Sequence, residues 1–175
     1  GDAADAGAWD IGLIGAEPQR AEKIAFTPAY VEIEATYLVP AESPLKSIAD
    51  VDKTGVRIAV TGRTAYGLWL DRNIKNAELV RSDTLASATE QFVRDKLEAL
   101  AGLRPGLFSD VEKTPGARML DGKFMAVQQA IGTVRKNAAG AAFLRDFVEQ
   151  TKASGFVASL IERHKVRGLS VAPPS

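Results

Sequence analysis

Apolar and polar positions follow two alternating patterns along the chain. Val56–Val60 reads VRIAV, a short apolar run of the kind that forms a buried strand. The next stretch, Thr64–Ile74, places Leu68 and Trp69 among the apolar positions of an amphipathic helix. Further strands are predicted at Asp10–Ile14, Ile24–Phe26, Tyr30–Val39, Ala77–Arg81, Leu97–Ala101, Arg118–Leu120 and Phe124–Val134. Further helical segments are predicted at Ser47–Val51, Thr84–Arg94, Pro105–Glu112, Ala138–Ala153 and Phe156–Lys165, before a tail at 166–175.

The order of these elements predicts the fold class. Strands that alternate with helices favour α/β layers with a mainly parallel sheet. Two long strands, Tyr30–Val39 and Phe124–Val134, bracket the middle of the chain. We therefore expect two lobes joined by crossing strands, with residues 1–39 and 129–175 in lobe 1 and residues 40–128 in lobe 2.

Composition excludes several classes of site. The 175 residues include no cysteine, which excludes disulfides, thiolate metal sites and a cysteine nucleophile. His164 is the single histidine, so a histidine-rich metal site is excluded, and we expect neither metal nor cofactor. Lys plus Arg equals Asp plus Glu at 22 each, so no global field favours nucleic acid. No apolar run approaches the roughly 20 residues of a membrane span. Gly1 followed by Asp2 resembles a processing or expression scar, and we expect that a signal peptide has been removed.

Four segments, in order along the chain, carry a resemblance to a known family. WDIGLIGAEPQRAEKIAFTPAY resembles a strand, a loop with an arginine and a terminal segment of the type (V/I)xFSxPY. YLVPAESPLKSIADVDKTGVRIAVTGRTAYGLWL resembles LLVxxxSPIKSLxDLKGKKVAVxxGTTxExxL, and VRDKLEALAG resembles LxxGRVDAVVxD. The two closing helices resemble the pattern LxxxxxxGxxxxIxxKW. Together they are similar to the bacterial extracellular solute-binding proteins of family 3, the amino-acid-type capture subunits of ABC importers.

The resemblance implies a periplasmic binding protein type II-like fold with an incomplete lobe 1. In such proteins two or more βα units precede the strand that we place at Asp10–Ile14. A sheet without them has an unpaired edge and an uncovered apolar face, which predicts a homodimer through the incomplete lobe. The implied function is a periplasmic, non-enzymatic protein that binds a small anionic or amino-acid-like solute by hinge closure and delivers it to a membrane permease.

The resemblance also implies a ligand site. Arg20 matches the family arginine that clamps a carboxylate, and the alternative is a solvated arginine in a helical turn. Gly62, Arg63 and Thr64 follow a strand and open a helix, whose free N–H groups can bind an anion, although a plain capped helix start would look the same. Tyr66, near that helix start, is a candidate for stacking on the ligand.

Leu103 and Arg104 mark a departure from the family pattern. Leu103 stands where amino-acid binders carry an aspartate for the ligand ammonium. A buried ammonium without that carboxylate is costly, so the pattern favours a carboxylate, dicarboxylate or other anion over an ordinary α-amino acid. Arg104 either adds positive charge to the site or caps an exposed loop.

Two alternative functions stay open on the sequence. A sensor or interaction module would keep the fold without binding a solute. An enzyme similar to cyclohexadienyl dehydratases would need an acid or base near Arg20, where Glu17 is the single candidate.

Overall fold

A computed structural model describes residues 6–175, which divide into two compact units. Unit 1 comprises the chain up to Ile33 together with Val127–Ser175, and unit 2 is Glu34–Ala126. The strands are β1 (Ile11–Ala16), β2 (Ile24–Phe26), β3 (Val31–Pro40), β4 (Arg57–Thr61), β5 (Glu78–Ser82), β6 (Ala99–Leu103), β7 (Ala117–Met119), β8 (Met125–Val134) and β9 (Leu169–Val171). The α-helices are α1 (Pro18–Ala21), α2 (Ala65–Asn73), α3 (Leu85–Arg94), α4 (Arg104–Lys113), α5 (Ala138–Ala153) and α6 (Phe156–Arg163), with one 3₁₀ turn at Ile48–Asp50.

Unit 2 is built on three parallel strands, each followed by an α-helix: β4 and α2, β5 and α3, and β6 and α4. The strand β4 lies between β5 and β6 and is parallel to both, while β3 runs antiparallel to β6 and β7. Apolar side chains from one sheet face and from α3 and α4 form its core, with Leu38, Phe92, Leu100 and Leu107 almost inaccessible to solvent. Burying each such side chain contributes about 1.5–3 kcal/mol, so this core fixes the strand ends that carry the loops.

Unit 1 is antiparallel and centres on β8. The strand β1 pairs with β8 from Ile11↔Thr133 to Ala16↔Gln128, and β2 pairs with the end of β8 on its other side. The first residues of β3 pair with β9. Ile131 of β8 packs against Leu144 and Val148 of α5, which forms the core of this unit.

The structure corrects the predicted sheet. Parallel pairing is confined, within residues 6–175, to the β4–β5 and β4–β6 pairs, so the expectation of a mainly parallel sheet is wrong. Strand direction depends on pairing between distant segments, which local periodicity does not report. The short elements α1 and β9 were not predicted, and the unit boundaries differ from the predicted lobe boundaries by between two and six residues. None of the described helices is long and apolar enough to cross a membrane.

Candidate functional site

Arg20 lies on α1, the single helical turn between β1 and β2 in unit 1. Glu17 caps this turn, because its Oε2 accepts a hydrogen bond of 2.9 Å from the backbone N–H of Gln19. Pro18 occupies the first helical position, where a missing N–H does no harm. The buried carboxylate of Glu17 is therefore part of the local structure that positions Arg20.

The Arg20 guanidinium is half-buried and bonds to the backbone of the preceding strand. Its Nη1 donates a hydrogen bond of 2.9 Å to the backbone oxygen of Gly15 at the end of β1. Burial lowers the pKa of Arg20, and the nearby Glu17 opposes that fall. An arginine stays charged under such conditions, so the chain keeps a partly desolvated cation on a short rigid turn.

Gly62, Arg63 and Thr64 connect β4 to α2 in unit 2. The Gly62 N–H donates to the backbone oxygen of Ser82 at 2.9 Å, which ties the loop to β5. Arg63 has a φ of 62°, the left-handed conformation, and its side chain is exposed. Thr64 is the N-cap: its Oγ1 accepts from the Gly67 N–H at 3.0 Å and donates to the Thr61 oxygen at 2.8 Å. The helix start thus presents the positive end of its dipole.

Tyr66 carries a buried hydroxyl at this helix start. The residue is 3% exposed, and its hydroxyl makes no hydrogen bond within the described residues. Burial raises the pKa of Tyr66, and the neighbouring side chains of Thr61 and Thr64 oppose the rise. A buried hydroxyl left unsatisfied costs about 1–3 kcal/mol, so Tyr66 is a donor in need of an acceptor.

Gly67 is a site residue that the sequence reasoning missed. A Cβ at this position would lie 2.6 Å from the Thr61 oxygen and 2.8 Å from the Thr64 Oγ1. Glycine therefore allows α2 to start directly against the end of β4. The available signal was a glycine inside a predicted helix, which costs helix stability and so calls for a packing reason.

Leu103 and Arg104 lie where β6 passes into α4, also in unit 2. Leu103 is the N-cap residue of α4 and offers no side-chain oxygen. Arg104 donates through Nε to Glu34 Oε2 at 2.7 Å, through Nη2 to the Gly122 oxygen, and through Nη1 to the Met119 sulfur at 3.2 Å. Its guanidinium is thus engaged by partners from the same unit, where it ties α4 to β3.

The two loops of unit 2 meet at one edge of its sheet. Because β4 and β6 are parallel neighbours, with Ile58 opposite Ala99, their carboxyl ends lie side by side. Gly62–Thr64 and Leu103–Arg104 follow those two ends. Ligands of α/β sheets bind at this edge. Of the predicted residues, unit 2 brings together those of its two loops, while Arg20 belongs to unit 1. No cluster of three potential metal ligands occurs in residues 6–175.

Comparison with solved structures identifies the fold. No protein-family model and no curated protein sequence matches the chain. An ABC-transporter binding component from Wolinella succinogenes, complexed with lysine, is 20% identical with a TM-score of 0.78, over 93% of this chain and 72% of that one. An amino-acid substrate-binding protein from Streptococcus pneumoniae, bound to L-arginine, is 15% identical with a TM-score of 0.74, over 93% and 70%. An ancestral amino-acid-binding protein, a precursor of cyclohexadienyl dehydratase, is 20% identical with a TM-score of 0.74, over 93% and 71%. The chain therefore has the mixed α/β, periplasmic binding protein type II-like fold that amino-acid ABC-transporter substrate-binding proteins share, as the sequence predicted.

Proposed function

We propose that this chain is the solute-binding component of an ABC importer and that it binds a small carboxylate-bearing solute. The observation that supports the proposal is the half-buried guanidinium of Arg20, which lies on a one-turn helix in a fold shared with amino-acid-binding proteins. The Gly15 oxygen engages one edge of the guanidinium. Its planar fork suits two parallel hydrogen bonds to a carboxylate.

The loops of unit 2 supply further donors for the same solute. The start of α2 provides backbone N–H groups and a positive dipole end, and Arg63 adds an exposed charge. Every one of these groups is a donor or a cation, which supports an anionic solute.

The β6–α4 junction supports a solute without a buried ammonium group. Leu103 cannot pair with an ammonium, and the nearby Glu34 carboxylate is engaged by Arg104 at 2.7 Å and by Lys123 at 3.7 Å. A desolvated ammonium needs a carboxylate partner that this junction does not supply. The proposal therefore favours organic acids and dicarboxylates over ordinary α-amino acids.

The proposed mechanism couples binding to closure of the two units. The strands β3 and β8 pass from one unit into the other and act as the hinge. The solute shifts the population toward the closed state by its better contacts there, and a membrane permease reads that state. Such a protein works in the periplasm.

A thermal-shift screen of organic acids and amino acids tests the proposal. Binding stabilises the folded state by RT ln(1 + [L]/Kd), about 2.7 kcal/mol at one hundred times Kd. Arg20→Gln reduces the response at the same solute concentration while preserving the fold. Arg135→Gln is the matched control, because Arg135 also lies in unit 1 and also donates to a backbone oxygen, that of Ala21 at 2.8 Å. A wild-type chain that responds to no acid contradicts the proposal and favours a sensor or interaction module.

One observation keeps a dehydratase as a second candidate. Glu17 is a buried carboxylate within electrostatic reach of Arg20, the pairing that an acid or base catalyst beside a bound carboxylate would need. Its oxygen already caps α1, which favours a structural role. Turnover of a cyclohexadienyl acid, abolished by Glu17→Gln, would establish the enzyme, and absence of turnover would exclude it.

A further inference from the structure

Three non-glycine residues have a left-handed backbone conformation in the described part of the chain. Arg63, Lys96 and Lys165 have φ values of 62°, 49° and 50°. This conformation is unfavourable for an L-residue, because its Cβ comes too close to the following carbonyl oxygen. Elsewhere the described chain uses glycine where φ is positive, and glycine carries no such penalty. The three exceptions therefore call for a reason.

Two of the three residues end a helix, which is an ordinary reason for this conformation. Lys96 and Lys165 lie directly after the C-cap residues of α3 and α6, respectively. A left-handed residue at this place commonly ends a helix, since its N–H can then bond to a carbonyl of the last turn. The Lys96 N–H donates to the Val93 oxygen at 3.4 Å, and the Lys165 N–H donates to the Glu162 oxygen at 3.0 Å.

Helix termination does not explain Arg63, because this residue precedes a helix. It lies between β4 and Thr64, the N-cap residue of α2. Its side chain is exposed, so packing in a core does not require an arginine there either. Strained residues of this kind concentrate where function requires them. The chain therefore retains an arginine at a position where the backbone alone would favour glycine.

Gly62, the residue before Arg63, shows the converse departure. Its φ lies outside the left-handed region, and a Cβ on it would meet only the Ser82 oxygen, at an ordinary contact distance of 3.7 Å. Neither a positive φ nor close packing therefore requires a glycine at this position. A missing side chain does allow a ligand to approach the backbone. Two neighbouring departures from local preference indicate a functional loop.

Arg63 lies at the edge of the unit 2 sheet where ligands of α/β folds bind. It follows the carboxyl end of β4, which is parallel to its neighbours β5 and β6. Arg104, after the carboxyl end of β6, is engaged by Glu34 at 2.7 Å. Lys96 is also an exposed left-handed cation of unit 2, but it precedes β6 and therefore lies at the opposite edge.

We propose that Arg63 selects solutes that carry a second carboxylate, so that the solute class of this chain is the dicarboxylates. In the proposed function, on which this assignment rests, Arg20 holds the first carboxylate. The planar guanidinium of Arg63 suits two parallel hydrogen bonds to the second one, and the bare backbone at Gly62 lets that carboxylate come close. A monocarboxylate leaves the contact with Arg63 unmade, and selection arises from that difference.

Isothermal titration with succinate, glutarate and adipate at neutral pH, each compared with its monomethyl ester, tests the proposal. The ester retains the carbon chain and one of the two carboxylates. Wild type should bind the best dicarboxylate about tenfold or more tightly than its ester, as expected for a charge-assisted hydrogen bond. Arg63→Gln should bring the two affinities close to equal. Lys96→Gln is the matched control and should keep the wild-type preference.

Glycine variants separate a role in recognition from a role in folding. Arg63→Gly should raise Tm by roughly 1–4 °C, because the left-handed penalty is removed, while the preference for the dicarboxylate is lost. Lys96→Gly should also raise Tm but keep the preference. A lower Tm for Arg63→Gly overturns the strain on which the assignment of Arg63 depends.

The titrations distinguish failure of this assignment from failure of the proposed function. A wild type that binds a monocarboxylic acid as tightly as any dicarboxylate overturns selection by Arg63 and leaves the proposed function standing. A folded Arg63→Gln variant that keeps the preference for dicarboxylates does the same. A wild type that binds no acid contradicts the proposed function and the role of Arg63 together.

Discussion

Gly67→Ala should disturb the helix start that supplies the proposed donors of unit 2. The new Cβ would lie 2.6 Å from the Thr61 oxygen and 2.8 Å from Thr64 Oγ1, closer than real Cβ contacts. The first of these atoms is backbone at the end of β4, and the second is the N-cap hydroxyl. Relief of the clash therefore moves α2 away from β4 or breaks the cap.

The magnitude follows from three opposing effects. Loss of an N-cap costs about 1 kcal/mol, and overpacking costs about 1–3 kcal/mol. Replacement of glycine by alanine inside a helix raises the free energy of unfolding by about 0.5–1 kcal/mol. The net loss of unfolding free energy is about 1–3 kcal/mol, which lowers Tm by roughly 3–10 °C in a chain of this size.

Gly106→Ala is the matched control for this experiment. Gly67 and Gly106 are each the third residue of their helix, but a Cβ on Gly106 would meet no atom within 4 Å. Gly106→Ala should therefore raise the unfolding free energy by about 0.5–1 kcal/mol. Urea unfolding of both variants at neutral pH provides the measurement. A Gly67→Ala variant as stable as the Gly106→Ala variant would refute the close approach of α2 to β4.

Two further predictions concern ion pairs of unit 2. Hydrogen bonds from Arg57 lower the pKa of Glu98. The ionised carboxylate therefore stabilises the fold fully above the ordinary pKa of a glutamate, about 4.3. This stabilisation is lost as the pH falls through the lower pKa that Glu98 has in the folded state. In urea titrations the stability difference between wild type and Glu98→Gln should thus be largest near pH 7 and shrink toward pH 3, and a pH-independent difference would contradict the pairing. Arg104→Gln should lower the unfolding free energy by about 1–3 kcal/mol, because Glu34 then keeps the longer contact with Lys123 and loses the one with Arg104. Solute affinity should change less than twofold. Arg94→Gln, at the exposed Arg94–Asp95 pair, should leave the urea midpoint unchanged, and equal effects of the two variants would contradict the role given to Arg104.

Elements with strong local patterns were predictable from the sequence. The run VRIAV became β4, and the threonine before the next helical pattern became its N-cap. The segment Leu97–Ala101, LEALA, would also suit a helix by composition. The strand predicted there is confirmed by β6, which is displaced by two residues to Ala99–Leu103. The three-residue β9 lies in a tail with two prolines and has too few residues to show a period.

Features that depend on distant residues were not predictable. The ion pair of Arg104 joins it to Glu34, seventy positions earlier in the chain, so the local sequence indicates a charge but not its partner. The left-handed conformation of Arg63 and the buried, unsatisfied hydroxyl of Tyr66 likewise depend on how the β4–α2 junction packs. The antiparallel pairing of unit 1 follows from contacts between β1 and β8, more than one hundred residues apart.

In the proposed function, Arg20 holds the carboxylate of a small solute. Isothermal titration of the strongest organic acid from the thermal-shift screen tests it directly, with wild type, Arg20→Gln and Arg135→Gln side by side. A charge-assisted hydrogen bond contributes about 1.5–3 kcal/mol, so Arg20→Gln should weaken binding by about 10-fold to more than 100-fold, while Arg135→Gln should bind as wild type does. Equal affinity of wild type and Arg20→Gln would contradict the account.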